Sequence, residues 1–179
     1  MNGVTVRMAG GLANGRMALL LLAAYAVSQG GIYLVLQDIS HDVLKLQTTF
    51  SPEVFAGILE SWGEAGRARY VAHFFLDFFH PLIYGAFLAV AGTWAAAPFF
   101  RESSRLRRTF VVLPFVAGFC DLMENVLHLH MLGHWREVSG SVLGTSAVFA
   151  CVKWILAGVC VVYVVGLLAA RGLWGKNVS

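Results

Sequence analysis

Four stretches of this 179-residue chain are each apolar and long enough to cross a lipid bilayer, and that feature constrains the fold more than any other. They run over about 17–37, 71–97, 107–133 and 143–170. A hydrocarbon core about 30 Å thick takes about 20 residues of helix to cross. Within it every backbone polar group must find its partner inside the protein, which a helix provides. Charged residues make up 13% of the chain and hydrophobic ones 58%, whereas an ordinary soluble domain is about a quarter charged. The sequence therefore predicts one all-α domain over 1–179, a polytopic bundle of four transmembrane helices. Pro81 and Pro114 fall inside the second and third spans, where neighbouring helices can satisfy the carbonyls they free.

Orientation follows from the positive charges. Arg7 and Arg16 precede the first span; Arg101, Arg105, Arg107 and Arg108 fill the loop between the second and third; Arg171 and Lys176 follow the fourth. The opposite side holds fewer, diluted by acids. Both termini are expected in the cytoplasm, as an even number of spans requires. The first apolar run is too long for a signal-peptide core and lacks an Ala-x-Ala exit, so it reads as a retained helix. Cys120, Cys151 and Cys160 lie in apolar runs with no metal-finger spacing. The outer loop, 38–70, contains SPEVFAGILESW: Ser51 as cap, Pro52 at the first helical position, and an apolar stripe of Val54, Phe55, Ile58, Leu59 and Trp62. One short amphipathic helix is expected there, lying at the interface and lidding the bundle.

The spans are not uniformly greasy. In the second, His73, Asp77, His80 and Tyr84 share the spacing of one helical face. In the third, Asp121, Glu124, Asn125 and His128 do the same. Counting inward from the outer ends of antiparallel neighbours sets Asp77 level with His128, His80 with Glu124, and Tyr84 with Asp121. Lys153 on the fourth span, and Ser28 and Gln29 on the first, reach the depth of His80. An ionisable group in that position costs about 2.5–3.5 kcal/mol or more, so mutual pairing is expected, as Asp77–His128 or Glu124–Lys153.

Such a cluster suits acid–base chemistry on a lipid-soluble substrate. A protonated acid in an apolar pocket can donate a proton to an alkene while a carboxylate or imidazole removes one elsewhere. Asp77 and Glu124 are the candidate proton-handling acids, with His80 and His128 as relays and Asp121 and Tyr84 extending the network. Lys153 would be the counter-ion, and Asn125 and Gln29 ligand contacts. Trp154, Tyr84 and Tyr25 could face a passing carbocation. A second possibility is a metal-dependent lipid hydrolase, with His73, Asp77, His80, Asp121, Glu124 and His128 as N and O ligands. A haem held by two histidines is a further one. A non-catalytic receptor for a lipid or cationic amine is the remaining class. The partners expected are a small lipid-soluble ligand and membrane lipid, with no nucleic acid and, on the first reading, no cofactor.

The order of these features resembles the EXPERA superfamily, four-helix membrane proteins that include the emopamil-binding sterol isomerase and the sigma-2 receptor. The likeness runs over nearly the whole chain: GGIYLVLQD closing the first span, ESWGEAGRARY ending the outer loop, Asp77 in FFLDFFHP, the acids of CDLMENVLH, and Trp154. It implies a pocket among the helices that opens sideways to lipid, a sterol- or isoprenoid-like ligand, and a homodimer. The chain departs from the isomerase pattern in having Tyr25 and Gln29 where a His and a Glu stand in the first helix. It also has Cys151 near the place of an Asn before the fourth-helix Trp.

Overall fold

A computed structural model of the protein describes residues 14–176, with the backbone alone from residue 172 onward. Arg7, the Gly-rich stretch around it and the side chain of Lys176 lie outside the described residues. Within them are seven helices: α1 (Gly15–Leu36), α2 (Ser40–Thr48), α3 (Pro52–Ser61), α4 (Gly63–Asp77), α5 (His80–Ala96), α6 (Arg105–Leu132) and α7 (Gly140–Lys176). α1, α6 and α7 are each long and apolar enough to cross a membrane. α4 and α5 together pass the same test as a single broken span, bent by 46°. The chain is thus an all-helical protein with the helices of a membrane bundle.

The expectation of one continuous helix over 71–97 is corrected. The helix begins at Gly63 and breaks at Phe78 and Phe79. The reason is local. Pro81 has no N–H to donate, and its ring crowds the carbonyl four residues back, which is that of Asp77. The chain bends, and Pro81 becomes a first-turn residue of α5, where its missing N–H does no harm.

The outer loop is also richer than expected. It holds two helices, α2 and α3, and then the first turns of α4. Ser51 caps α3, its hydroxyl accepting from Val54 N–H at 3.2 Å. Gly63, at φ +63°, makes the turn into α4 in a conformation that favours glycine. The lid packs down on the bundle: Leu46, Phe55 and Leu59 are 0% exposed. They join Tyr70, Phe74, Met131 and Leu143 in an outer core. An inner core gathers Tyr84, Leu88, Ala117, Cys160 and Val164. In chain register the polar residues of α6 and α7 fall between the two. Here α6 comes close to α5, since a Cβ at Gly118 would meet the Pro81 carbonyl oxygen at 3.1 Å.

Candidate functional site

The break between α4 and α5 decides where the site lies. The Asp77 carbonyl, freed by Pro81, accepts a hydrogen bond from Asn125 Nδ2 of α6 at 3.2 Å. Asn125 is buried. This bond ties the bent span to α6 beside the acids.

Asp121, Glu124, Asn125 and His128 are all buried on the inward face of α6. Lys153 reaches them from α7. Its Nζ lies 2.7 Å from Asp121 Oδ1, as a hydrogen bond, and 2.7 Å from Glu124 Oε2, as a charge contact without hydrogen-bond alignment. The depth count anticipated Glu124 with Lys153. It did not anticipate that one lysine would bridge both acids. The expected Asp77–His128 pair does not form. Asp77 Oδ2 instead faces His73 Nε2 one turn back at 3.7 Å, and His73 Nδ1 is taken by the Tyr70 carbonyl. His128 Nδ1 hydrogen-bonds the Tyr70 hydroxyl at 3.0 Å, and its Nε2 stands 4.0 Å from Glu124 Oε1. Tyr84 neighbours Asp121.

The first span contributes through Ser28, whose Oγ is 2.9 Å from His80 Nδ1. The His80 ring packs at 5.4 Å from those of Tyr25 and Tyr84. His80 lies within electrostatic reach of Asp77, Asp121 and Lys153. Gln29, at the same depth, is exposed on the outer face of α1 and does not join the cluster. Trp154 also points away: it is 52% exposed, and touches the site only through Lys153, whose Nζ sits 5.4 Å from its ring centre. The tyrosines, not Trp154, are the aromatic faces available inside.

The six residues considered as metal ligands do not converge. Among the described residues no three His, Cys, Asp or Glu side chains are grouped so as to hold a metal ion. An ammonium occupies the place between the two α6 carboxylates where a cation would sit. Sequence reasoning passed over Tyr70, which belongs to the site, is 0% exposed and hydrogen-bonds His128. Its place seven residues before Asp77, on the same helical face, was a usable signal. Ser28 was placed at the right depth, but only the structure makes it a partner of His80.

Comparison with protein-family models, curated proteins and solved structures finds no match.

What the cluster can do therefore rests on its own chemistry. Asp77, Asp121 and Glu124 supply three carboxyl groups against one ammonium, all buried. With neutral histidines, full ionisation would leave two uncompensated negative charges. The arrangement sets imidazoles and phenols beside carboxyl groups, the residue types that acid–base chemistry uses.

An open groove lies on the side of the bundle beside Ser28. A hollow of about 610 Å³ opens between α1 and the bent span, floored by Ala23, Ala24 and Gly31 and walled by Phe75 and Phe79. Its lining is apolar except at Ser28, the partner of His80.

Proposed function

We propose that this chain is an integral membrane protein of four spans, with both termini cytoplasmic, that binds a small neutral lipid of sterol or isoprenoid type and moves protons on it, as an isomerase or cyclase does. The observation that carries the reading is the Ser28–His80 hydrogen bond, which joins an apolar lateral groove to a buried acid cluster. A lipid lying along α1 would place its one polar group, or its double bond, against Ser28 and His80. Asp77 is the acid nearest this position in the fold, and Glu124 the deeper partner. One gives a proton to carbon and the other accepts one from a neighbouring carbon, so the reaction consumes no net proton. Asp121 and Lys153 hold the charge of the cluster constant, and Tyr25 and Tyr84 offer ring faces to transient positive charge. A remote place in the EXPERA superfamily is part of the same proposal, supported by the order of features along the chain.

Native mass spectrometry of protein released from membranes tests the binding half. The wild type is expected to carry a neutral lipid, which Ala24→Phe, filling the groove at an exposed position, should displace. Equal lipid occupancy in both proteins, or none in either, would overturn the assignment of the groove.

A further inference from the structure

Among the buried side-chain polar atoms of the described residues that make no hydrogen bond within the protein are Glu124 Oε1, His128 Nε2 and Ser146 Oγ. Their residues are 0%, 1% and 0% exposed. Buried polar groups are paired in the great majority of cases, and an unpaired one costs about 1–3 kcal/mol. These three fall at one level of the α6–α7 pair, as the helix register below places them.

Glu124 and His128 are one turn apart on α6, with Oε1 and Nε2 separated by 4.0 Å. That is too far for a direct hydrogen bond and close enough for one oxygen to reach both at about 2.8 Å. Ser146 arrives from α7. Lys153 fixes the register, since it meets Asp121 and Glu124. A step of seven residues outward along α7 matches an equal step along antiparallel α6 and brings Ser146 level with residues 128–131. Leu143 and Met131, near that level on the two helices, both belong to the outer core.

We infer that Glu124, His128 and Ser146 hold a single water molecule, and that this water is the proton link between the lid side of the bundle and the Lys153 cluster. The three groups supply what a buried water needs, namely two to four polar partners of mixed donor and acceptor character. The histidine is oriented for the role. Its Nδ1 is engaged by the Tyr70 hydroxyl at 3.0 Å, and Gln47, buried on α2, lies beside that same hydroxyl. When Tyr70 donates to Nδ1, the ring proton sits on Nε2, facing the water and then Glu124. A proton passes by one O–H or N–H bond breaking as the next forms, with no other reactant. Tyr70 is a positioning residue here, because it acts through the tautomer of His128. The charged and titratable groups facing His128 are Glu124 on its own helix, Tyr70 and His73 on α4, and Lys153 on α7. Of the surrounding groups, His73 is the natural control: it is equally buried, its Nδ1 is engaged by the Tyr70 carbonyl, and its Nε2 faces Asp77 at 3.7 Å. None of this depends on the lipid reading.

Solid-state NMR of the full chain in lipid vesicles, with nitrogen-15 in histidine, tests it. Magnetisation from water should reach His128 Nε2 several-fold faster than it reaches His73, and Ser146→Ala should bring the two rates together. Tyr70→Phe should turn a single His128 tautomer into a mixture, a change that loss of packing alone would not produce. Transfer to His128 as slow as to His73 in the wild type would overturn the water. A direct His128–Glu124 contact without water transfer would do the same. A single unchanged tautomer in Tyr70→Phe would remove Tyr70 from the relay.

Discussion

Replacing Lys153 by methionine probes the centre of the site. Nζ lies 2.7 Å from a carboxylate oxygen of both Asp121 and Glu124. At an effective dielectric of about 20, each attraction is about 6 kcal/mol. The two contacted oxygens can be no more than twice that distance apart, so their mutual repulsion is at least about 3 kcal/mol by the same relation. Attraction exceeds repulsion, and desolvation of the three ions, several kcal/mol each, takes up much of the surplus. The intact triad is therefore close to neutral for stability, while a triad lacking its lysine is not. Lys153→Met should lower stability by about 3–5 kcal/mol, the usual result of stranding buried charge. The triple change Lys153→Met, Asp121→Asn, Glu124→Gln should recover most of that loss, because it strands none. Unfolding in mixed micelles, followed by circular dichroism against denaturant, measures both. A single variant within about 1 kcal/mol of wild type would refute the reasoning, as would a triple variant as unstable as the sum of its three single changes.

Asn125→Leu should cost about 1–3 kcal/mol in the same assay, because it abandons the Asp77 carbonyl that Pro81 frees; an unchanged midpoint would show that the break needs no outside partner. Phe55→Ala should cost about 3–5 kcal/mol, as Phe55 is 0% exposed and its ring lies 5.8 Å from that of His128. A loss below about 1 kcal/mol would mean that α3 rests on the membrane surface after all. At the exposed cap of α3, the Ser51 hydroxyl donates to Glu53 at 2.6 Å and holds its carboxyl below the usual range. A lowered folded value gives stability that is present above the ordinary carboxylate range and lost as pH falls through the folded value. Ser51→Ala should return the Glu53 titration upward toward its ordinary value, as read by NMR, and remove about 0.5–2 kcal/mol of capping.

The bundle could be read from the sequence because lipid imposes one simple rule, about 20 apolar residues per crossing, and α1, α6 and α7 are each long and apolar enough to meet it. The site's membership was legible for a related reason. Charge is so costly in lipid that His73, Asp77, His80, Asp121, Glu124, His128 and Lys153 could only be where they can meet. Pairing was less legible. Antiparallel counting carries an error of about one turn, and the bend at Phe78–Phe79 rotates α4 relative to α5, so Asp77 turned to His73 and not to His128. Pro81 and Asn125, taken together, were the clue to that bend. Trp154 and Gln29 were misplaced because depth alone says nothing about rotation; each lies at the right level on the wrong face. The lid was underread because α2 opens at Ser40 without a side-chain cap and owes its place to the burial of Leu46.

The most direct measurement of whether these acids trade protons with a lipid can be made before the substrate is identified. Protein in vesicles made from a total membrane lipid extract is incubated in heavy water, and the lipids are examined by mass spectrometry for deuterium bound to carbon. The expected result is carbon-bound deuterium in one lipid class with the wild type, absent with Asp77→Asn and with Glu124→Gln. No lipid labelled above protein-free vesicles, or equal labelling by the two variants, would contradict it.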